Sequence, residues 1–203
     1  MRVVQTNGVP SQALTADVDA VVIALKSRTI TPMDAIAQSL AALEWLKKAG
    51  SRQIYFKYCS TFDSWHGADS GNKRGNIGPV TEALMEAMGV DFTIATPAFP
   101  DNGRTVFKGH LFVGDVLLSE SSMKNHPLTP MQDANLVKVL QAQCQRKVGL
   151  IDYRTVANGA AAIQARIAAL RAQDVGIAIV DAISNEDLMR LGPALANLPL
   201  VTA

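Results

Sequence analysis

Lys57, Ser60, Thr61, Asp63 and Ser64 fall within the eight residues KYCSTFDS and bring together a compact cation, three hydroxyls and a carboxylate. Such a set can neutralise an acid group and hold the hydroxyls of a polyol. The same residue types also close polar loops and cap helices, and that reading fits the cluster at least as well. Arg74-Gly75-Asn76-Ile77-Gly78-Pro79 follows. Gly75 and Gly78 on either side of Asn76, just before a helix, allow backbone amides to approach an anion. No Gly-Lys-Ser/Thr follows, so this is not a nucleotide-binding loop of that type, and a tight turn feeding a helix explains it equally. The third segment is PAFPDNGRTVFKG, Pro97 to Gly109. Two prolines stiffen it, Asn102-Gly103 turns it, and Arg104 stands beyond the turn. An arginine held there forks onto a carboxylate with two parallel hydrogen bonds. A surface hairpin with a solvated arginine is the alternative.

Other reactive side chains are less informative. His66, His110 and His126 form no metal-ligand spacing with Cys59 and Cys144, so no zinc site is read. Asp181 follows the apolar run GIAIV, and Asp181 or Asp187 could position a hydroxyl or a metal-bound water. Capping of the next helix is the stronger reading for residues 185–187.

The elements that must position these groups alternate in type. Ala20 to Leu25 (AVVIAL) is an apolar run suited to a strand buried on both faces. Thr31 caps a helix with Pro32 in its first turn and Asp34 three residues after the cap, and Gly50 stops it. Further strands are expected at Val3 to Gln5, Gln53 to Tyr58, Phe92 to Ala95, Val148 to Ile151, Gly176 to Val180 and Leu198 to Val201. Helices are expected at Pro79 to Met88, Asp133 to Gln145, Thr155 to Ala172 and Asn185 to Leu191, with an extended ribbon at Thr105 to Val113. This order predicts an α/β fold of three layers, a mostly parallel sheet with helices on both faces. In such sheets ligands sit beyond the carboxyl ends of the strands, where Lys57, Pro97 and Asp181 fall.

Composition narrows the function. The 203 residues are 48% apolar and 18% charged, enough for one substantial core. A net charge of +1 and 5% aromatics give no basis for nucleic-acid or membrane partners. Two cysteines without framework spacing and the lack of an apolar leader predict a cytoplasmic protein. No Gly-x-Gly-x-x-Gly follows the first strand, which argues against a dinucleotide enzyme.

In this order the segments resemble the four-carbon acid sugar kinase family, most closely its 3-oxo-tetronate kinase branch. The likeness rests on Lys57 to Ser64, Arg74 to Val80, Pro97 to Gly114, Asn125 to Met131 and Val180 to Leu188, and runs over nearly the whole chain. It implies an ATP-dependent kinase acting on the terminal hydroxyl of a four-carbon sugar acid such as 3-oxo-tetronate. Residues 1–203 then correspond to the N-terminal sugar-acid-binding lobe of a two-lobe enzyme. The family's first strand, with its Ala-Asp-Asp-Phe-Thr-Gly-Ala type motif, and its C-terminal ATP lobe are expected to be absent. Under this resemblance Arg104 and Lys57 orient the carboxylate. Ser60, Thr61, Asp63 and Asn76 hold hydroxyls, with Arg74, Gly75 and Gly78 beside them. ATP and magnesium are expected mainly on the other lobe, and neither on this chain alone. The chain alone is expected to be inactive and, with strand edges unpaired, to self-associate or be poorly soluble. A non-catalytic sugar-acid binding module, or an inactive truncated gene product, is the alternative. Trp65 to Lys73 lengthens the loop between the first two segments relative to the family.

Overall fold

The computed structural model describes residues 1–13, 18–67 and 75–203. Its main sheet holds five parallel strands in the order β3 (Ile54–Phe56), β10 (Leu200–Thr202), β4 (Thr93–Ala95), β9 (Val175–Val180) and β8 (Lys147–Ile151). Every residue of β9 is buried, as a strand covered on both faces requires. Ile177 and Ile179 join one apolar cluster with Leu43, Leu84 and Leu140, while Ala178 and Val180 join another with Ile163, Leu170 and Leu191. The alternation of β9 thus defines the layers. Helices α1 (Pro32–Lys48), α2 (Ile77–Met88) and α3 (Leu136–Gln141) cover the first face, and α4 (Tyr153–Ala157), α5 (Ala160–Arg171) and α6 (Asn185–Leu195) the second. The three-layer α/β expectation holds.

Two smaller sheets flank the main one. Strands β1 (Val3–Asn7) and β2 (Ala20–Ala24) pair in parallel, Val3 beside Ala20 and Asn7 beside Ala24. Strands β5 (Arg104–Phe107), β6 (His110–Val113) and β7 (Val116–Leu117) form an antiparallel sheet that joins the end of β9 through a Val106–Ala182 bridge. The ribbon expected at Thr105 to Val113 is therefore a hairpin. Its two-residue turn is Lys108-Gly109, with φ of 50° and 73°, the two positive angles a type I′ turn demands.

Helix α1 starts as its sequence predicts: the Thr31 hydroxyl accepts the Asp34 amide at 3.2 Å, with Pro32 first in the helix. The helix expected from Asp133 is shorter, because Asn135 is its cap and accepts from the Lys138 amide. Asp133 instead accepts the Asn135 amide. The long alanine-rich helix expected over Thr155 to Ala172 is two helices, α4 and α5. It breaks at Asn158-Gly159, where Gly159 takes φ 82°. Among the described residues no helix is long and apolar enough to cross a membrane.

Candidate functional site

Asp63 is the centre of a polar cluster at the carboxyl ends of the strands. Its side chain is wholly buried. One carboxylate oxygen accepts Nε and Nη2 of Arg28, at 3.2 and 2.5 Å, and the hydroxyl of Thr129. The other accepts the Thr61 hydroxyl at 2.5 Å and the Cys59 thiol at 3.0 Å. Burial alone would push this carboxyl up. The Arg28 guanidinium and the neutral donors outweigh it and hold Asp63 below the usual carboxylate range. Phe62 makes the cluster possible by taking the left-handed conformation, φ 53°, between Thr61 and Asp63. That conformation costs a non-glycine residue about 1–2 kcal/mol, offset here by burial of its ring edge-on to Tyr58.

The cysteines are not nucleophiles in this setting. Burial, then the charge of Asp63, raises the Cys59 thiol, and burial pushes Cys144 up to about 12. Both therefore remain protonated near neutral pH.

Asn76 is the second organising residue. Its backbone amide donates to the Ser64 hydroxyl at 2.9 Å, which ties the first segment to the start of α2. Its side-chain amide donates to the carbonyls of Ser27 at 2.8 Å and Ile30 at 3.0 Å, bracketing Arg28. The first turn of α2 is not open to an anion, because the Gly78 amide donates to the side-chain carbonyl of Gln143 at 3.0 Å. That contact also explains the glycines. A Cβ on Gly78 would lie 2.5 Å from Gln143 Cβ and 2.8 Å from Cys144 Sγ, and one on Gly75 would lie 2.4 Å from the Gln143 amide group. Gly78→Ala is thus expected to cost about 1–3 kcal/mol of overpacking. Removing the rest of the Gln143 side chain by Gln143→Ala should not relieve it, since the offending Cβ stays. Urea denaturation of the two single variants and the double variant checks this, and full rescue in the double variant would contradict it.

The remaining expected residues lie around this core. Lys57 is exposed at the end of β3 and donates to the Tyr58 carbonyl at 3.2 Å. Ser60 is half-buried next to Thr61. Arg104 opens β5, where its Nη1 donates to the Asn102 carbonyl and its buried Nε has no partner among the described residues. Arg74 lies outside the described residues, as do residues 68–73 of the insertion expected at Trp65 to Lys73.

The two aspartates read from the sequence as possible chemical groups are structural. Asp181 accepts the backbone amides of Lys108, Gly109 and Tyr153 at 2.7, 2.8 and 2.8 Å, clamping the hairpin and the start of α4 to the end of β9. Asp187 forms a reciprocal cap with Ser184, so capping of α6 centres on Ser184 rather than Asn185.

Arg28, Thr129 and His126 were not identified from the sequence. His126 Nδ1 accepts the Thr129 amide at 3.1 Å and so steadies the hydroxyl that meets Asp63. Arg28 did carry a signal, since it lies in the turn that leaves the apolar strand β2, where open sheets present ligand groups. Thr129 lies in the segment Asn125 to Met131 that carries the resemblance, but nothing in its spacing singles it out. Near the same edge, an open groove of about 420 Å³ lies between the ends of β1 and β2 and the side of α1, with Lys26 and Gln38 in its wall.

A three-layer parallel sheet with a charged, hydroxyl-rich cluster at its carboxyl edge is the arrangement in which open α/β sheets present ligand-binding groups. Residues 1–202 match the family described as the sugar-binding N-terminal domain, and the chain belongs to that family. It is 63% identical over 202 residues to a Burkholderia multivorans protein named 3-oxo-tetronate kinase, covering all of this chain and 46% of that one. A Pseudomonas savastanoi pv. phaseolicola protein of the same name is 60% identical over 204 residues, with the same coverage. The chain thus spans about half the length of these relatives. A Haemophilus influenzae crystal structure superposes with a TM-score of 0.92 at 55% identity, over 98% of this chain and 47% of that one. A Bordetella bronchiseptica domain, described as a domain-swapped dimer with bound citrate, is 27% identical with a TM-score of 0.78, over 99% of this chain and 47% of that one.

Proposed function

We propose that this chain is the sugar-acid-binding part of an ATP-dependent kinase that phosphorylates the terminal hydroxyl of a four-carbon sugar acid such as 3-oxo-tetronate. The observation that carries the reading is the similarity, over the whole of this chain, to about half the length of proteins named 3-oxo-tetronate kinase. The cluster around Asp63, at the edge where parallel sheets bind ligands, is consistent with it. Lys57 and Arg104 supply positive charge along this edge, Ser60 and Thr61 supply hydroxyls, and Gly75, Asn76 and Gly78 form the adjoining wall; Arg74, proposed beside them from the sequence, lies outside the described residues. Asp63 and Asn76 act through what they hold, because their bonding groups are engaged within the chain.

ATP and magnesium would serve the intact two-lobe enzyme, which would work in the cytoplasm where ATP is supplied. Among the described residues no group of three or more His, Cys, Asp or Glu could hold a metal ion, and Gln143 fills the start of α2. What this lobe contributes is positioning of a charged acceptor, on which phosphoryl transfer strongly depends.

Calorimetric titration of the purified chain with D-erythronate and L-threonate tests the proposal. Saturable binding of at least one tetronate, without ATP turnover, is expected. Absence of binding to either acid, or ATP-dependent turnover by this chain alone, would refute it.

A further inference from the structure

The geometry points to Arg28 as the residue that takes the ligand's carboxylate, with Asp63 and Asn76 as its positioning residues. The inference rests on the sugar-acid reading above and names the group that reads the acid. A guanidinium offers two edges, each able to present a pair of N–H donors. Asp63 occupies the Nε–Nη2 edge of Arg28 through a single oxygen. Nη1 is bonded by no described residue, so the second edge stays available.

The pair straddles the surface of the protein. The Asp63 side chain is 0% exposed and that of Arg28 45%. Burying a carboxylate this completely is costly, and a buried ion pair is a weak device for stability. As a device for aiming a cation it is effective, because Asp63 is itself fixed by Thr61, Thr129 and Cys59.

The backbone of Arg28 is held as firmly as its side chain. Asn76 bonds the carbonyls of Ser27 and Ile30 on either side, and Lys26 enters the turn in the left-handed conformation, φ 54°. Two separate anchors therefore converge on one half-exposed guanidinium. Ordering it in advance removes side-chain entropy that a ligand would otherwise have to overcome. Lys57 and Arg104 lack this support, since the bonds made by their charged ends go to backbone carbonyls one or two residues away.

The test is calorimetric titration of the wild-type chain and of Arg28→Gln, Arg28→Lys and Arg104→Gln with D-erythronate and with its neutral amide. Arg28→Gln should weaken erythronate binding roughly 30-fold, the scale of a charge-assisted bidentate contact. Its binding of the amide should match wild type within about threefold, and Arg104→Gln should lose less affinity for the acid than Arg28→Gln does. Arg28→Lys keeps the ion pair but lacks the second edge, so it should fold normally and lose roughly fivefold or more. Wild-type acid affinity in folded Arg28→Gln would overturn the inference. If that variant does not fold, wild-type affinity in Arg28→Lys overturns it equally. Full loss in Arg104→Gln alone would transfer the role to Arg104. Failure of the wild-type chain to bind any tetronate would remove the sugar-acid reading and this inference together. Wild-type binding with unaffected Arg28 variants would remove only the second.

Discussion

Asp63→Ala is expected to destabilise the fold by about 3 kcal/mol, near the lower end of the range for breaking a buried ion pair. The lower end applies because Arg28 is half-exposed and regains water once released. The larger part of the loss comes from inside. Thr61, Thr129 and Cys59 all aim donors at this carboxylate, and Thr61 and Thr129 are buried with it. Asp63→Asn preserves the shape and separates the charge from the packing. Asp63 is held below its unfolded value, so its contribution is present above about pH 4 and disappears as pH falls through the folded value. Wild type should therefore lose more stability than Asp63→Asn between pH 7 and pH 3 in urea denaturation. Asp152, held low by Thr155, keeps some acid sensitivity in both, so the difference between the two proteins is the measurement. Equal losses would mean that Asp63 is not the ionised centre of the cluster.

The second large effect belongs to Asp181. Asp181→Ala withdraws the acceptor from three backbone amides in two distant segments, and its expected cost is also about 3 kcal/mol. Asp181→Asn keeps one acceptor oxygen and should fall between alanine and wild type. The damage should be local. Hydrogen exchange at Lys108, Gly109 and Tyr153 should accelerate well beyond that of β9, because among the described residues the Val106–Ala182 bridge is then the main-chain link left between the hairpin and the end of β9. Unchanged protection at those three amides would show that the carboxylate is not the clamp.

Local signals in the sequence were read well and distant ones poorly, for a physical reason. The Thr31 cap, the stop at Gly50 and the fully apolar β9 each depend on neighbours within a few residues, and each appears where expected. Asn158-Gly159 also carried a local signal, but the alanine-rich run around it suggested one continuous helix. The links that build the site join positions far apart: Arg28 to Asp63, Gln143 to Gly78, Asp181 to the Lys108-Gly109 turn. No periodicity encodes such pairs. The sequence offers Asp63 and Asn76 as ligand contacts, whereas the fold engages their side chains within the chain. The glycines of the second segment were read as room for an anion. The side chain of Gln143 occupies that room.

The position of β10 has a consequence for how the chain reaches this state. It is later in the chain than all its sheet-mates, yet it lies between β3 and β4, paired with both through the main chain and tied to β4 also through the Thr93 and Thr202 hydroxyls. During synthesis, β3 and the β4-β9-β8 group must wait as separate pieces with facing edges unsatisfied. Closure over such long sequence separations is slow. The waiting edges are templates for pairing with other chains. The edges most exposed to misassembly on the ribosome are therefore those of β3 and β4 that face β10 in the finished sheet.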